Sequence, residues 1–178
     1  DFPPLIAQVA KADAIIVSDY GKGFVDESLI EQTLANRSSP AAIVALDPKP
    51  RRLLQHSGVD LLTPNRSESL ELAGLDKEGF GEFPAQRVCA AIHERYTPRF
   101  LAITLGGEGM LLSEGGQLLE TIPTAAREVF DVSGAGDTVI AALTLALGAG
   151  ASFREAAVFA NAAAGVVVGK VGTATADS

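Results

Sequence analysis

The stretch DVSGAGDTVIAALTLALGAGA (131–151) sets two acids, Asp131 and Asp137, around a glycine-rich turn at the head of an apolar run of small residues. A buried helix does not need Gly134-Ala135-Gly136-Asp137 at its start. Two readings stand. In one, the glycines make a tight turn and Asp137 is simply a favourable acid in the first helical turn. In the other, the helix begins with free N–H groups, and small residues let a phosphate approach the backbone. Asp137 could then take a proton from an attacking hydroxyl, because phosphoryl transfer asks for positioning, charge neutralisation and a carboxylate base.

Upstream, short apolar runs alternate with helical patterns. AIIVS (14–18), AAIVALD (41–47), DLLTPN (60–65) and FLAIT (100–104) read as buried strands. Residues 26–37, 53–58, 66–74 and 84–96 read as helices, the third closed by Gly74 and the fourth opened by Pro84. Apolar strands alternating with helices predict an α/β fold with a mostly parallel sheet covered on both faces. MLLSEGGQLLETIP (110–123) predicts a late antiparallel hairpin, followed by helices over 135–148 and 152–168. One domain is expected over 1–178.

Ligands in such sheets bind at the carboxyl ends of the strands. Five polar or glycine-rich turns lie there: SDYGKG (18–23), DPKP (47–50), TPNRSE (63–68), TLGGEG (104–109) and DVSGAGD (131–137). Each alone has two readings. Asn65-Arg66-Ser67-Glu68 is either a capping box or a site where Asn65 and Glu68 face a magnesium ion and nucleotide phosphates through water. Thr104 to Gly109 is either a loop into the hairpin or a backbone bed for a nucleotide, with Gly106, Gly107 and Gly109 giving access. Neither a Walker motif nor a dinucleotide fingerprint occurs. Asp19, Lys22 and Lys49 are either solvated turn residues or contacts to a substrate phosphate. Asn161, strongly polar in an apolar helix, makes either a structural hydrogen bond or an adenine-side contact.

Composition narrows the classes. A formal charge of -8 disfavours nucleic acid and anionic membrane surfaces, and 6% aromatics with no Trp disfavour stacking platforms for single strands. The one cysteine, Cys89, reads as a buried thiol. His56 and His93 lie apart from any ligand cluster, which disfavours zinc. The apolar runs 138–153 and 156–169 are too short to span a bilayer, and no signal-peptide pattern opens the chain, so a cytoplasmic location is expected.

Together, DVSGAGDTVIAALT (131–144), the N-x-x-E of Asn65 and Glu68, and the T-x-G-x-x-G of Thr104 to Gly109 resemble the ribokinase-like (PfkB) carbohydrate kinases in order and approximate spacing. Within that family SDYGKG, LDPKP, LLTPNRSE, AREVFDVSGAGDTV and ANAAAGVVVGKVGTAT are most similar to bacterial heptose-7-phosphate kinases, including the kinase half of a bifunctional lipopolysaccharide heptose enzyme. The resemblance implies a ribokinase-like fold with its N-terminal part missing, so that 1–178 is the C-terminal portion of one kinase domain. It implies transfer of the ATP γ-phosphate to the anomeric hydroxyl of D-glycero-D-manno-heptose 7-phosphate. Asp137 would be the base, and Gly134, Ala135 and Gly136 the anion hole. Asn65, Arg66, Ser67, Glu68, Thr104, Gly106, Gly107, Gly109 and Asn161 would border the nucleotide, with Glu68 serving Mg2+ through water. Asp19, Lys22 and Lys49 would meet substrate or phosphate. Asp131 and Ser133, with the Gly172-Thr173 turn, would lie where family members hold a monovalent cation such as K+. A homodimer is expected, since missing strands leave a sheet edge open. Pro50 departs from the glycine expected after Asp47-Pro48-Lys49. Two alternatives stand: another ribokinase-like sugar kinase, or a catalytically silent nucleotide-binding fragment.

Overall fold

A computed structural model describes residues 3–49, 56–79, 81–125 and 134–169. Six strands form one sheet in chain order: β1 (Ala14–Ser18), β2 (Ile43–Asp47), β3 (Leu61–Leu62), β4 (Phe100–Thr104), β5 (Met110–Glu114) and β6 (Gln117–Ile122). β1 to β4 run parallel, and β5 and β6 return antiparallel as the expected hairpin on Gly115-Gly116. Six helices accompany them: α1 (Pro3–Val9), α2 (Glu27–Ala35), α3 (Arg66–Ala73), α4 (Ala85–Tyr96), α5 (Ala135–Gly148) and α6 (Phe153–Val168).

β2, β3 and β4 are almost wholly apolar because both of their faces are covered. Side chains alternate across a strand. Val44, Leu46, Leu101 and Ile103 therefore enter one core with Val88, Ile92 and Tyr96 of α4. Their neighbours Ile43, Ala45, Phe100 and Ala102 enter a second core with Ile140 and Leu143 of α5 and Ala156 and Ala160 of α6.

Three expectations change. The helix α1 lies where the sequence pattern gave no element. Residues 56–58 are not helical, and the rest of the helix expected over 53–58 falls outside the described residues, as does Pro50. β1 is not fully buried: it is the sheet's edge, and Ile16 is 42% exposed there.

Three of these helix starts are closed by a side chain, whereas α4 begins on Pro84 without one. Asp26, Asn65 and Ser152 accept from the backbone N–H of Leu29, Glu68 and Glu155 respectively. α5 begins instead on Gly134 at φ 78°, which has no side chain to offer.

Gly109 precedes β5 at φ 97°, and a Cβ there would lie 2.0 Å from the Ile122 carbonyl oxygen and 2.7 Å from the Thr124 nitrogen. The absence of a side chain lets the exit of β6 pass against this turn. Gly107, two residues earlier, would place a Cβ in open space. Gly109→Ala should therefore cost at least about 2 kcal/mol, from strain plus overpacking. Gly107→Ala should stay within about 1 kcal/mol of the parent. Urea unfolding of both variants reads the contrast, and equal losses would remove it.

Candidate active site

The parallel strands deliver their polar exits to one edge of the sheet, and hydrogen bonds join neighbouring exits. The backbone N–H of Asp19, after β1, donates to the Asp47 carbonyl at 3.1 Å. Lys49, after β2, donates from Nζ to Glu68 Oε1 at 2.7 Å. The Thr104 N–H at the end of β4 donates to the Pro64 carbonyl at 3.0 Å, and Asn65 bridges to Thr104.

The capping box is formed: Asn65 Oδ1 accepts from Glu68 N at 3.0 Å, and Glu68 Oε2 accepts from Asn65 N at 2.9 Å. That structural role coexists with a place at the site. Asn65, Arg66 and Ser67 line a cavity of about 790 Å³, together with Thr104, Gly106, Gly107, Gly109 and Asn161. Gly106 to Glu108 form a short 3₁₀ turn on its wall. Ala135 and Gly136, in the first turn of α5, line it from the opposite side. The cavity thus gathers the expected nucleotide residues from α3, β4, the glycine turn and α6, with Glu68 as the exception. Glu68 is held at the cavity's edge by Lys49 and Asn65.

Asp137 follows the cavity-lining turn and is exposed. Its Oδ1 accepts a hydrogen bond from Tyr20 at 3.3 Å. Gly134 caps the helix. Lys22 is exposed, and Asp19 is buried at 2% exposure, with Oδ1 accepting from Gly21 N at 2.7 Å. Asn161 donates from Nδ2 to the Pro123 carbonyl at 2.7 Å and accepts from Ala125 N at 3.4 Å while also facing the cavity. The structural hydrogen bond read from the sequence is therefore formed, and the side chain lies at the cavity. Asp131, Ser133 and Gly172-Thr173 lie outside the described residues.

An apolar wall completes the cavity. Ala164, Gly165 and Val168 of α6 join Asn161 there. Their spacing of three, four and seven residues from Asn161 is a helical stripe, a signal present in the sequence but not assigned to the site.

The charges at the strand exits are mostly negative. Burial raises the Asp47 carboxyl to about 6; the nearby Lys49 pulls it down, while Glu68, Asp137 and Asp19 push it further up. Burial alone would lower Lys49, but its hydrogen bond to Glu68 and the charges of Asp47, Glu68 and Asp137 outweigh that and raise it. Among the described residues no group of three or more His, Cys, Asp or Glu side chains could hold a metal ion. A cage made of protein alone is therefore not offered. Hard oxygens beside a cavity suit Mg2+, which keeps its waters and leans on substrate phosphates. No described helix is long and apolar enough to cross a membrane.

A carboxyl raised from 3.8 to about 6 binds its proton more tightly in the native state than in the unfolded chain. Stability therefore falls as pH climbs from about 4 to 6, and that cost persists above 6. Asp47→Asn removes the cost and leaves Lys49 its bond to Glu68. The variant should melt above the parent at pH 8, with the gap closing towards pH 4.5. Scanning calorimetry across that range checks the prediction; a gap independent of pH would contradict it.

Residues 4–178 match the pfkB family of carbohydrate kinases. The chain is 41% identical over 170 residues to the bifunctional protein HldE of Desulfatibacillum aliphaticivorans, covering 96% of this chain and 34% of that protein. It is 38% identical over 169 residues to the same-named protein of Helicobacter pylori, covering 95% of this chain and 36% of that one. The chain thus spans about a third of the length of these relatives. Among solved structures, Arabidopsis thaliana ribokinase complexed with ribose and ATP is similar at a TM-score of 0.76 and 25% identity, over 96% of this chain and 54% of that one. A mutant of Escherichia coli phosphofructokinase-2 is similar at a TM-score of 0.79 over 98% of this chain and 58% of its own, a likeness of fold at 20% identity. This chain belongs to the pfkB family of carbohydrate kinases.

Proposed function

We propose that this chain is the nucleotide-and-base portion of an ATP-dependent sugar kinase whose acceptor is D-glycero-D-manno-heptose 7-phosphate. The observation that carries the kinase reading is the start of α5. Gly134 leaves the helix without a side-chain cap, and Ala135 and Gly136 face the cavity. Gly136 has no conformational or packing reason to be glycine: its φ is ordinary and a Cβ would meet nothing within 4 Å. Close approach of a ligand supplies the missing reason. The acceptor assignment rests on the resemblance of SDYGKG and AREVFDV to heptose-7-phosphate kinases.

In this reading nucleotide phosphate sits against the first turn of α5. The N–H groups there and the helix dipole offset charge on the phosphoryl oxygens. Asp137 takes the proton of the acceptor hydroxyl as that oxygen bonds to the γ-phosphorus. The bond from phosphorus to the β,γ-bridging oxygen breaks, and ADP leaves. Glu68 and Asp47 would hold water on a bound Mg2+, which would supply charge neutralisation on the phosphates.

The complete gene product carrying this sequence should transfer phosphate to heptose 7-phosphate. Phosphorylation of ribose or fructose phosphates alone would redirect the acceptor assignment within the family. Asp137→Asn should lower kcat by at least about 100-fold and leave ATP affinity within about twofold. Unchanged turnover in that variant would sink the base assignment, and ATP binding without turnover in the parent would favour a silent nucleotide-binding role. Gly136→Ala should keep the parent's melting temperature and lose about tenfold or more in kcat/KM for ATP. Steady-state kinetics beside a melting curve read both quantities.

A further inference from the structure

Tyr20 has a place at the site that its motif did not announce. It follows β1, it is 63% exposed, and its hydroxyl donates to Asp137 Oδ1 at 3.3 Å across 117 positions of sequence. We propose that Tyr20 is a positioning residue for the Asp137 carboxylate: its hydroxyl holds Oδ1 and leaves Oδ2 free to take the acceptor's proton. This role rests on Asp137 being the base.

Three observations support it. Asp137 is exposed on the first turn of α5, where its side chain can rotate, and a base must meet its proton within about 3 Å. Among the described residues Tyr20 makes the hydrogen bond recorded to that side chain. An ionised carboxylate only accepts, and a phenol hydroxyl donates, so the pair is chemically matched.

Tyr20 itself is well aimed. Asp19 before it is buried, its N–H bound to the Asp47 carbonyl and its Oδ1 to the N–H of Gly21 after it. The short loop is thus anchored on both sides of an exposed ring. Burial does not account for a tyrosine at this exposure, whereas the bond to Asp137 does.

Among the described residues, Asp47 and Lys49 act electrically with Asp137. Both act as charges; Tyr20 adds a direction. Tyr20→Phe removes the hydroxyl and keeps the ring and every charge.

In the complete gene product, Tyr20→Phe should lower kcat about tenfold and leave KM for ATP within about twofold, a split that a merely structural role would not give. A kcat within about twofold of the parent overturns the proposal, as does a fall in melting temperature that accounts for the lost activity. A second readout is independent of turnover. In this chain, the 13C carboxyl signal of Asp137, identified by its absence in Asp137→Asn, should shift in Tyr20→Phe. An unmoved signal overturns the contact. If the parent gene product transfers no phosphate to any sugar, the kinase reading falls. The carboxyl signal then still upholds or overturns the Tyr20–Asp137 bond.

Discussion

The site depends on one carboxylate that makes two contacts. Glu68 closes the start of α3 through Asn65 N and binds Lys49 Nζ at the exit of β2. Without it, Asn65 would lose its reciprocal bond and the β2 exit would lose its tie to α3. The contacts extend along the sheet's carboxyl edge. Asn65 bridges to Thr104 at the end of β4, and the Asp47 carbonyl receives Asp19 at the end of β1. Four strand exits are joined in this way. A cavity bordered by separate loops would shift whenever one loop moved; here the exits move together.

That arrangement has an electrostatic cost. Lys49, Glu68, Asp137 and Asp19 gather around Asp47, whose carboxyl is pushed well above the usual carboxylate range. Burial of like charges is unfavourable for folding, so a function is the natural reason for keeping them. The proposed phosphoryl transfer gives one. In that reading, carboxylates that repel one another attract a cation escorting phosphate, and the start of α5 offers the opposite sign to the phosphate itself. The positive and negative ends of the site are supplied by different parts of the chain: backbone N–H groups by α5, carboxylates by the sheet.

Much of this was legible in the sequence because it is local. The strands at 14–18 and 100–104, the hairpin on Gly115-Gly116 and the helix over 135–148 fall where apolar periodicity and turn residues place them. Capping by Asn65 and Glu68 is equally local. The choice between capping and binding could not be made from spacing, and the fold shows why: Asn65 caps α3 and lines the cavity with the same backbone position. What was illegible is non-local. The bond between Lys49 and Glu68 spans two strand exits, and the bond between Tyr20 and Asp137 spans the whole sheet in sequence. AIIVS reads the same whether it has one neighbour or two, so the open sheet edge was an expectation of the resemblance and not of the strand itself.

The small apolar residues of α5 explain how an exposed acid can be held in register with the sheet. Gly148, at the far end of the helix, would set a Cβ 3.1 Å from that of Ala14 on β1, so the helix lies close against the strand there. Ile140 and Leu143 bury themselves in the core beside Ala45 and Ala102. α6 meets the same face through Ala156, Ala157 and Ala160, with almost no side-chain volume between the layers. Close packing of this kind leaves little room for a helix to slide or tilt. The helix start at Gly134 is therefore fixed by contacts at the opposite end and along the buried face. In its first turn a Cβ at Gly136 would meet none of the described residues within 4 Å. Bulk in the middle of α5 would be felt at Asp137, little more than one turn away, before it was felt at the surface.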